Sequence, residues 1–255
     1  MQAVILAGGY GTRLSEETTV RPKPMVEIGG RPILWHIMKI FHSHGIRDFV
    51  ICCGYKGFMI KEYFANYLLH TSDITYDGAT RALEIHDSSS EDWRVTLVDT
   101  GESTMTGGRL KRVADRIEGT FCMTYGDGVS DLDITALVAF HRRQGTKATL
   151  TAVQPPGRFG TFSLHADQDK IDHFREKPDG DNAWINGGFF VLERSALDYV
   201  SGDDTVWERE PMEHLASEGE LAAYRHSGFW HPMDTLRDRT YLEGLWADGA
   251  PWKNW

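Results

Sequence analysis

The chain has 255 residues, 41% of them hydrophobic, and a formal net charge of −10. A chain of this length and composition can bury a sizeable core, so we expect a compact α/β protein rather than a disordered one. The acidic balance argues against nonspecific binding to nucleic acid or to an anionic membrane, because those surfaces attract clustered positive charge.

The first half of the chain alternates strand-like and helix-like segments. Between two apolar runs, Ile33, Ile37 and Phe41 recur at the spacing of one helix face. The predicted order is a strand at 3–7, a helix that ends near Gly45, a strand at 49–53, a helix at 56–69, a strand at 95–98, a helix at 109–117 and a strand at 121–125. The polar segment 72–93 predicts an exposed hairpin or insertion. Such alternation is typical of a parallel, doubly wound sheet.

The second half of the chain continues the pattern and then changes it. Asp131 or Asp133 can cap a helix that ends near Gly145, and residues 148–153 predict another strand. Residues 157–190 combine short strand candidates with turn residues, which indicates an antiparallel addition to the sheet. The sequence therefore predicts a Rossmann-like α/β fold with a mixed, mostly parallel sheet.

Export and membrane insertion are not expected. The N-terminal apolar run lacks a basic leading region, and no stretch reaches the roughly 20 apolar residues that cross a bilayer. Cys52, Cys53 and Cys122 have no zinc or disulfide spacing. We therefore predict a cytoplasmic protein with no membrane partner and no nucleic-acid partner.

A glycine-rich loop directly follows the first predicted strand. Residues 6–14 read Leu-Ala-Gly-Gly-Tyr-Gly-Thr-Arg-Leu, and such glycines let backbone N–H groups approach phosphate oxygens without an intervening Cβ. No Gly-Lys-Ser/Thr follows, and Leu14 stands where a dinucleotide fingerprint has its third glycine. A different phosphate-binding loop is indicated. A tight turn without a ligand is the alternative, although the neighbouring Arg13 favours an anion.

Two further segments each contain a charged residue at a defined position in the backbone, Lys23 and Asp127. Lys23 stands between Pro22 and Pro24, which restrict the chain on both sides and predict a preset lysine that clamps phosphate. Asp127 follows the strand at 121–125, so it lies at the carboxyl edge of the sheet, where open α/β folds bind ligands. Each segment alone could be an ordinary loop or turn. A metal ion at Asp127 would need a partner carboxylate.

Together these segments resemble the sugar-nucleotide pyrophosphorylases, a family of nucleotidyltransferases. The family signature, a glycine-rich loop with Gly-Thr-Arg followed by Pro-Lys-Pro, stands here at residues 8–24. The likeness extends over essentially the whole chain through residues 23–30, 106–112 and 229–235. It points to members that use CTP and glucose 1-phosphate as substrates and Mg²⁺ as cofactor.

The resemblance implies a role for each of the following residues. The predicted nucleotide-binding residues are Leu6, Ala7, Gly8, Gly9, Tyr10, Gly11, Thr12, Arg13, Lys23, Thr104, Arg109 and Gly126. The predicted catalytic residues are Arg13, Lys23 and Asp127, and the predicted magnesium ligands are Asp127 and Asp234. The predicted sugar-phosphate-binding residues are Glu176, Lys177, Asn186 and Gly187.

The resemblance further implies a homo-oligomer built from a single nucleotidyltransferase domain, residues 1–255. Residues 1–130 would form its nucleotide-binding half, and residues 131–255 its sugar-phosphate-binding half with the C-terminal segment. Since the phosphate and metal residues do not read the base, a uridylyl- or thymidylyltransferase acting on a sugar 1-phosphate is an alternative. A noncatalytic sugar-nucleotide sensor is another. Asp234 could also serve as the N-cap of a helix, and Trp230 could stack on a sugar or simply pack.

Overall fold

The computed structural model describes residues 1–154, 161–164, 171–175 and 184–255. The strands are β1 (Gln2–Ala7), β2 (Glu27–Ile28), β3 (Arg31–Pro32), β4 (Asp48–Cys53), β5 (Ser72–Asp77), β6 (Ala82–Ser88), β7 (Arg94–Asp99), β8 (Phe121–Tyr125), β9 (Gly128–Ser130), β10 (Ala148–Val153), β11 (Thr161–Leu164), β12 (Ile171–Arg175), β13 (Ile185–Leu192), β14 (Leu221–His226) and β15 (Trp230–Pro232). The α-helices are α1 (Ser15–Thr18), α2 (Ile33–Ser43), α3 (Gly57–Ala65), α4 (Tyr67–His70), α5 (Thr106–Arg112), α6 (Ile134–Gln144), α7 (Glu210–Ser217) and α8 (Leu236–Ala247). Short 3-10 helices cover Thr12–Leu14, Lys23–Met25, Ala114–Arg116 and Arg194–Tyr199.

Seven strands form the central sheet, in the order β14-β10-β13-β8-β1-β4-β7. Strand β1 pairs in parallel with β4 and β8, β4 with β7, and β10 with β14. Among the described strands of this sheet, only β13 runs antiparallel to its neighbours, β8 and β10. The prediction of a mixed, mostly parallel sheet with an antiparallel addition is confirmed.

The central strands are buried on both faces, as β1 illustrates. Ala3 and Ile5 belong to a hydrophobic cluster that also contains Trp252 and the apolar face of α2. Val4 and Leu6 point the other way, into a second cluster with residues of α5 and the strands beside it. Successive side chains of a strand point to opposite faces, so an unbroken apolar run suits a strand that is covered on both sides.

Two helices differ from their predicted bounds. The helix predicted over 56–69 is divided into α3 and α4 at Asn66, where φ is −102° and ψ is 4°. These angles lie outside the regular α-helical region, so the helix is interrupted there. The helix predicted over 109–117 is wrong at both ends, because α5 begins at Thr106 and ends at Arg112.

Glycines at the start of α5 explain the earlier beginning. A Cβ on Gly107 would lie 2.8 Å from the carbonyl oxygen of Thr205, and one on Gly108 would lie 2.4 Å from that of Asp203. Only glycine lets the two backbone segments approach so closely. Because glycine is a poor helix former, a propensity argument starts this helix too late.

Other local predictions agree with the structure. The polar segment 72–93 contains the exposed antiparallel ribbon of β5 and β6. Of the two candidate caps, Asp133 caps α6 by accepting a hydrogen bond from the Ala136 amide at 2.9 Å, and Gly145 ends the helix with φ of 67°. Among the helices in the described part of the chain, none combines the length and apolar character of a membrane span.

His36 joins the C-terminal segment to the core. It lies on α2 and is fully buried. Its Nε2 is 2.8 Å from the carbonyl oxygen of Ile28, which can only accept, so Nε2 carries the proton. Nδ1 then accepts a hydrogen bond from Trp252 Nε1 at 3.4 Å. Burial lowers the pKa of His36 to about 4. The ring is therefore neutral near pH 7.

Stability should fall as the pH drops from about 6.5 to about 4, because the unfolded chain then binds a proton at His36 that the folded protein does not bind. The pKa shift of His36 corresponds to a loss of up to about 3 kcal/mol. Urea unfolding at about pH 7 and about pH 4.5 measures this loss. His36→Gln removes the titrating ring and should lose less stability between the two pH values. Equal losses in both proteins would contradict the role of His36.

Candidate active site

The carboxyl ends of β7, β4, β1 and β8 lie side by side at one edge of the sheet. A cavity of about 370 Å³ opens at this edge. All twelve residues predicted to bind the nucleotide lie in its wall. The segment after β7 adds Glu102, Ser103 and Met105 from the loop and Thr106 from the start of α5, which were not predicted. Their position after a predicted strand was the available signal, because ligands bind at the carboxyl ends of parallel strands.

Arg109 holds the wall of this first cavity together from within. Its side chain is buried and its guanidinium donates to four carbonyl oxygens and one hydroxyl. The shortest of these contacts joins Nη1 to the carbonyl oxygen of Gly101 at 2.7 Å, and Nη2 lies 3.0 Å from that of Gly8. Burial lowers the pKa of Arg109. The guanidinium therefore ties the glycine-rich loop to the loop after β7, and this use of its donors was not evident from the sequence.

Arg109→Lys is expected to destabilise the fold. A single ammonium cannot reach carbonyls on two loops as the planar guanidinium does, so buried acceptors lose their partners. We expect a loss of about 2–4 kcal/mol in the free energy of unfolding. Urea unfolding measures this loss. Arg116→Lys, on an exposed 3-10 helix, is the matched control. Wild-type stability in Arg109→Lys would contradict the tethering role.

Lys23 lies between the two predicted metal ligands. Its Nζ is 2.7 Å from Asp127 Oδ2 and 2.7 Å from Asp234 Oδ1. Arg13 approaches the other oxygen of Asp234, with Nη1 at 2.7 Å. Burial acts to lower the pKa of Lys23, but the two carboxylates outweigh burial and raise it. Lys23 is therefore a cation throughout the neutral range.

Local structure explains how two aspartates far apart in the chain meet here. Strand β9 pairs with β15, so that Pro232 faces Gly128, and the Met233 amide donates to the Asp127 carbonyl oxygen at 2.8 Å. Asp234 is not the N-cap of α8, because Thr235 caps that helix with a reciprocal capping box. The carboxylate of Asp234 is thus directed to Lys23 and Arg13 instead of the helix terminus.

A second cavity of about 360 Å³ adjoins the first. Arg13, Tyr125 and Asp127 line both cavities, so the charged cluster stands between them. Asn186 and Gly187, predicted on the sugar-phosphate side, lie in the wall of the second cavity. Glu176 and Lys177 lie outside the described residues.

Trp230 and Glu208 also line the second cavity. Trp230 Nε1 donates to the carbonyl oxygen of Gly187 at 2.6 Å, which fixes the indole at the cavity wall. The packing interpretation of Trp230 and a role in the cavity are thus compatible. Glu208 was not predicted, since it follows no strand end and belongs to no recognised motif.

The carboxylates of Asp127 and Asp234 fit a divalent cation that prefers oxygen ligands. One oxygen of each lies 2.7 Å from the same point, Lys23 Nζ, so the two converge on one position that accepts positive charge. In the described part of the chain there is no group of three or more His, Cys, Asp or Glu residues suited to a metal. Magnesium commonly completes its shell with water and substrate phosphates, so two protein carboxylates suffice.

A mostly parallel sheet with a phosphate-type glycine loop, a clamped lysine and two converging carboxylates defines a nucleotide-dependent transferase. The chain belongs to the nucleotidyl transferase family, whose sequence model matches residues 2–231. It is 63% identical, over 100% of both chains, to glucose-1-phosphate cytidylyltransferase of Salmonella typhimurium. It is 42% identical, again over 100% of both chains, to the probable glucose-1-phosphate cytidylyltransferase of Bacillus subtilis.

A solved structure shows the same fold. HddC from Yersinia pseudotuberculosis superimposes with a TM-score of 0.70 at 21% identity, covering 96% of this chain and 99% of that chain. At this identity the likeness concerns the fold alone. The family membership predicted from the sequence signature is confirmed by the family match and by the curated relatives.

Proposed function

We propose that this enzyme transfers the cytidylyl group of CTP to α-D-glucose 1-phosphate, giving CDP-glucose and pyrophosphate. The observation that carries the proposal is the position of Arg13 and Asp127, which line both the first cavity, where the predicted nucleotide-binding residues lie, and the second cavity beside it. A transfer between two phosphorylated substrates needs such a shared charged boundary. The choice of cytidine and glucose rests on the full-length identity of 63% to an enzyme of that name.

In the proposed reaction, a phosphate oxygen of glucose 1-phosphate attacks the α-phosphorus of CTP in line. The new phosphorus–oxygen bond forms as the bond from the α-phosphorus to the bridging oxygen breaks, and pyrophosphate leaves with that electron pair. The nucleophile is already an anion, so no general base is required. The obstacle is the approach of two polyanions, which makes positioning and charge neutralisation the main sources of acceleration.

Residues of the two cavities, together with Lys177, would supply that neutralisation. Backbone N–H groups of the glycine-rich loop would hold the triphosphate. The cations of Arg13 and Lys23 would lie beside its phosphates, and Lys177 would hold the sugar phosphate as the family resemblance implies. Asp127 and Asp234 would hold Mg²⁺, which adds positive charge at the triphosphate when bound.

Assembly and location stay predictions. A homo-oligomer is supported by the ribbon of β5 and β6, on which Ile74, Tyr76, Leu83 and Ile85 are exposed although apolar. The register pairs Ile74 with Ile85 and Tyr76 with Leu83, so all four lie on one face. An isolated two-stranded ribbon with an exposed apolar face is a poor free-standing element, which favours a second copy of the chain against it.

Pyrophosphate release tests the proposed reaction. The purified enzyme is incubated with Mg²⁺, glucose 1-phosphate and one of CTP, UTP, dTTP or GTP, and the nucleotide sugar is identified by mass. CTP should give the highest kcat/KM. A preference for UTP or dTTP would replace the assignment of the base. Binding of CTP without pyrophosphate release would favour a noncatalytic sensor.

A further inference from the structure

Glu208 occupies a position that the nucleotide and metal chemistry does not use. It follows Trp207, which is fully buried, and stands two residues before the start of α7, so its backbone is anchored on both sides. Its side chain is exposed and lines the second cavity, together with Asn186 and Trp230. An anchored backbone with a solvent-facing carboxylate in a cavity wall is suited to contact a ligand.

Two hydroxyl groups fix the orientation of this carboxylate. Tyr125 donates a hydrogen bond to Oε1. Thr106 donates to Oε2 at 2.7 Å, while Thr106 Oγ1 in turn accepts from the Trp207 amide at 2.9 Å. A phenol is protonated throughout the neutral range, so each carboxylate oxygen of Glu208 already has one hydroxyl donor.

The carboxylate retains acceptor capacity toward the cavity. An ionised carboxylate accepts at about four lone-pair positions, and the two hydroxyls account for two of them. A phosphate would be repelled by a carboxylate, whereas a sugar hydroxyl can donate to it. In the same cavity, Arg13 is the residue whose charge suits the phosphate. The cavity therefore contains separate places for the anionic and the hydroxyl-bearing parts of a sugar phosphate.

We propose that Glu208 determines sugar specificity by accepting a hydrogen bond from a hydroxyl of the sugar 1-phosphate. The proposal rests on the proposed function, and it adds a residue that the sequence motifs do not contain. Thr106, which lines the first cavity, donates to Glu208 and so links the position of its carboxylate to the wall of that cavity. A hydroxyl acceptor held in this way would reject sugars that lack the matching hydroxyl.

Kinetics of Glu208→Gln give the first test. The amide preserves size and one acceptor oxygen but removes the negative charge. We expect the KM for glucose 1-phosphate to rise by about 10-fold to 100-fold, the range for losing a hydrogen bond to a charged group. The KM for CTP and the kcat should change by less than about 3-fold, because the lost contact stabilises the bound sugar phosphate and the transition state equally. Glu210→Gln, an exposed glutamate in the first turn of α7, is the matched control.

A series of monodeoxy glucose 1-phosphates gives the decisive readout. In the wild-type enzyme, removal of the contacted hydroxyl should lower kcat/KM by about 10-fold or more. The effect is expressed as the ratio of kcat/KM for glucose 1-phosphate to kcat/KM for the monodeoxy analogue. In Glu208→Gln and in Glu208→Ala, this ratio should fall toward 1 at one hydroxyl position and stay at its wild-type value at the others. Unchanged ratios at every position in both variants would overturn the proposal, as would an equal rise in KM for both substrates.

The controls separate this inference from the proposed function. The choice of sugar is tested with the wild-type enzyme alone. If that enzyme uses another sugar 1-phosphate, the proposed substrate is wrong, and the monodeoxy series of the other sugar then tests Glu208. Thermal unfolding verifies that each variant is folded. If Glu208→Ala unfolds, Glu208→Gln carries the test, because the amide oxygen can still accept from one of the two hydroxyls and the amide N–H group can donate to the oxygen of the other.

Discussion

Asp127→Asn is expected to lower turnover by about 10²-fold or more, the usual effect of losing one electrostatic contact at a reacting phosphate. Asparagine keeps the shape of the side chain and its place beside Lys23, so the change is mainly one of charge. The carboxylate is one of only two that converge on Lys23 Nζ among the described residues. With one of them neutral, a divalent cation would lose half of its protein ligand charge.

Steady-state pyrophosphate release over a range of Mg²⁺ concentrations measures the effect of Asp127→Asn. Turnover should stay low even when Mg²⁺ is saturating, and the concentration that gives half-maximal rate should rise. Asp198→Asn makes the same chemical change at an exposed position of a 3-10 helix, outside both cavities, and should leave the rate unaltered. Near-native turnover in Asp127→Asn would remove this carboxylate from the proposed machinery.

The strands around the site could be predicted because β1 and β4 are apolar runs beside glycine-bearing turns and β8 is a mostly apolar segment that ends before Gly126. β8 has the predicted bounds, 121–125, and β1 and β4 each begin one residue earlier than predicted. Burial on both faces of a parallel sheet imposes this pattern locally, so neighbours in sequence carry the information. The glycine-rich loop and Asp127 could be located for the same reason, since each follows a strand, whereas Lys23 was located by the prolines on both sides of it.

The details that depend on distant contacts could not be predicted. The start of α5 is set by the close approach of residues 203–205, which leaves room only for glycine at 107 and 108. The guanidinium of Arg109 is occupied by carbonyls of two loops, although its sequence position suggested only proximity to the nucleotide. Glu208 enters the cavity wall through a segment without strand or motif, so no local pattern distinguishes it from an exposed glutamate.

Lys23→Met is expected to have two effects. Turnover should fall by about 10²-fold or more, and the nucleotide-free protein should bind a divalent cation more tightly. Methionine retains the apolar stem that fills the buried position of Lys23 and removes the ammonium. In the present structure that ammonium lies between the carboxylates of Asp127 and Asp234 and neutralises them. A cation that enters this position must therefore compete with Lys23.

The competition implies that the triphosphate assists metal binding in the wild-type enzyme. Phosphate oxygens offer Lys23 another anionic partner, so the lysine can leave the carboxylates at a lower cost when the nucleotide is present. Without nucleotide, the wild-type protein should bind Mn²⁺ weakly. Lys23→Met should bind it about 10-fold more tightly, a difference of about 1.4 kcal/mol. The two carboxylates left facing each other would make the variant less stable without metal.

Titration of nucleotide-free protein with Mn²⁺, followed by the electron paramagnetic resonance of the free ion, measures that affinity without any turnover. Thermal unfolding gives an independent reading, because a cation that binds only the folded state raises Tm, and at a given concentration it raises Tm more when it binds more tightly. Mn²⁺ should raise the Tm of Lys23→Met more than that of the wild-type protein or of Lys253→Ala, an exposed lysine beside Trp246. If Mn²⁺ affinity is unchanged in Lys23→Met while turnover falls, Lys23 acts on the phosphates alone, and the metal binds at a position that the ammonium does not occupy.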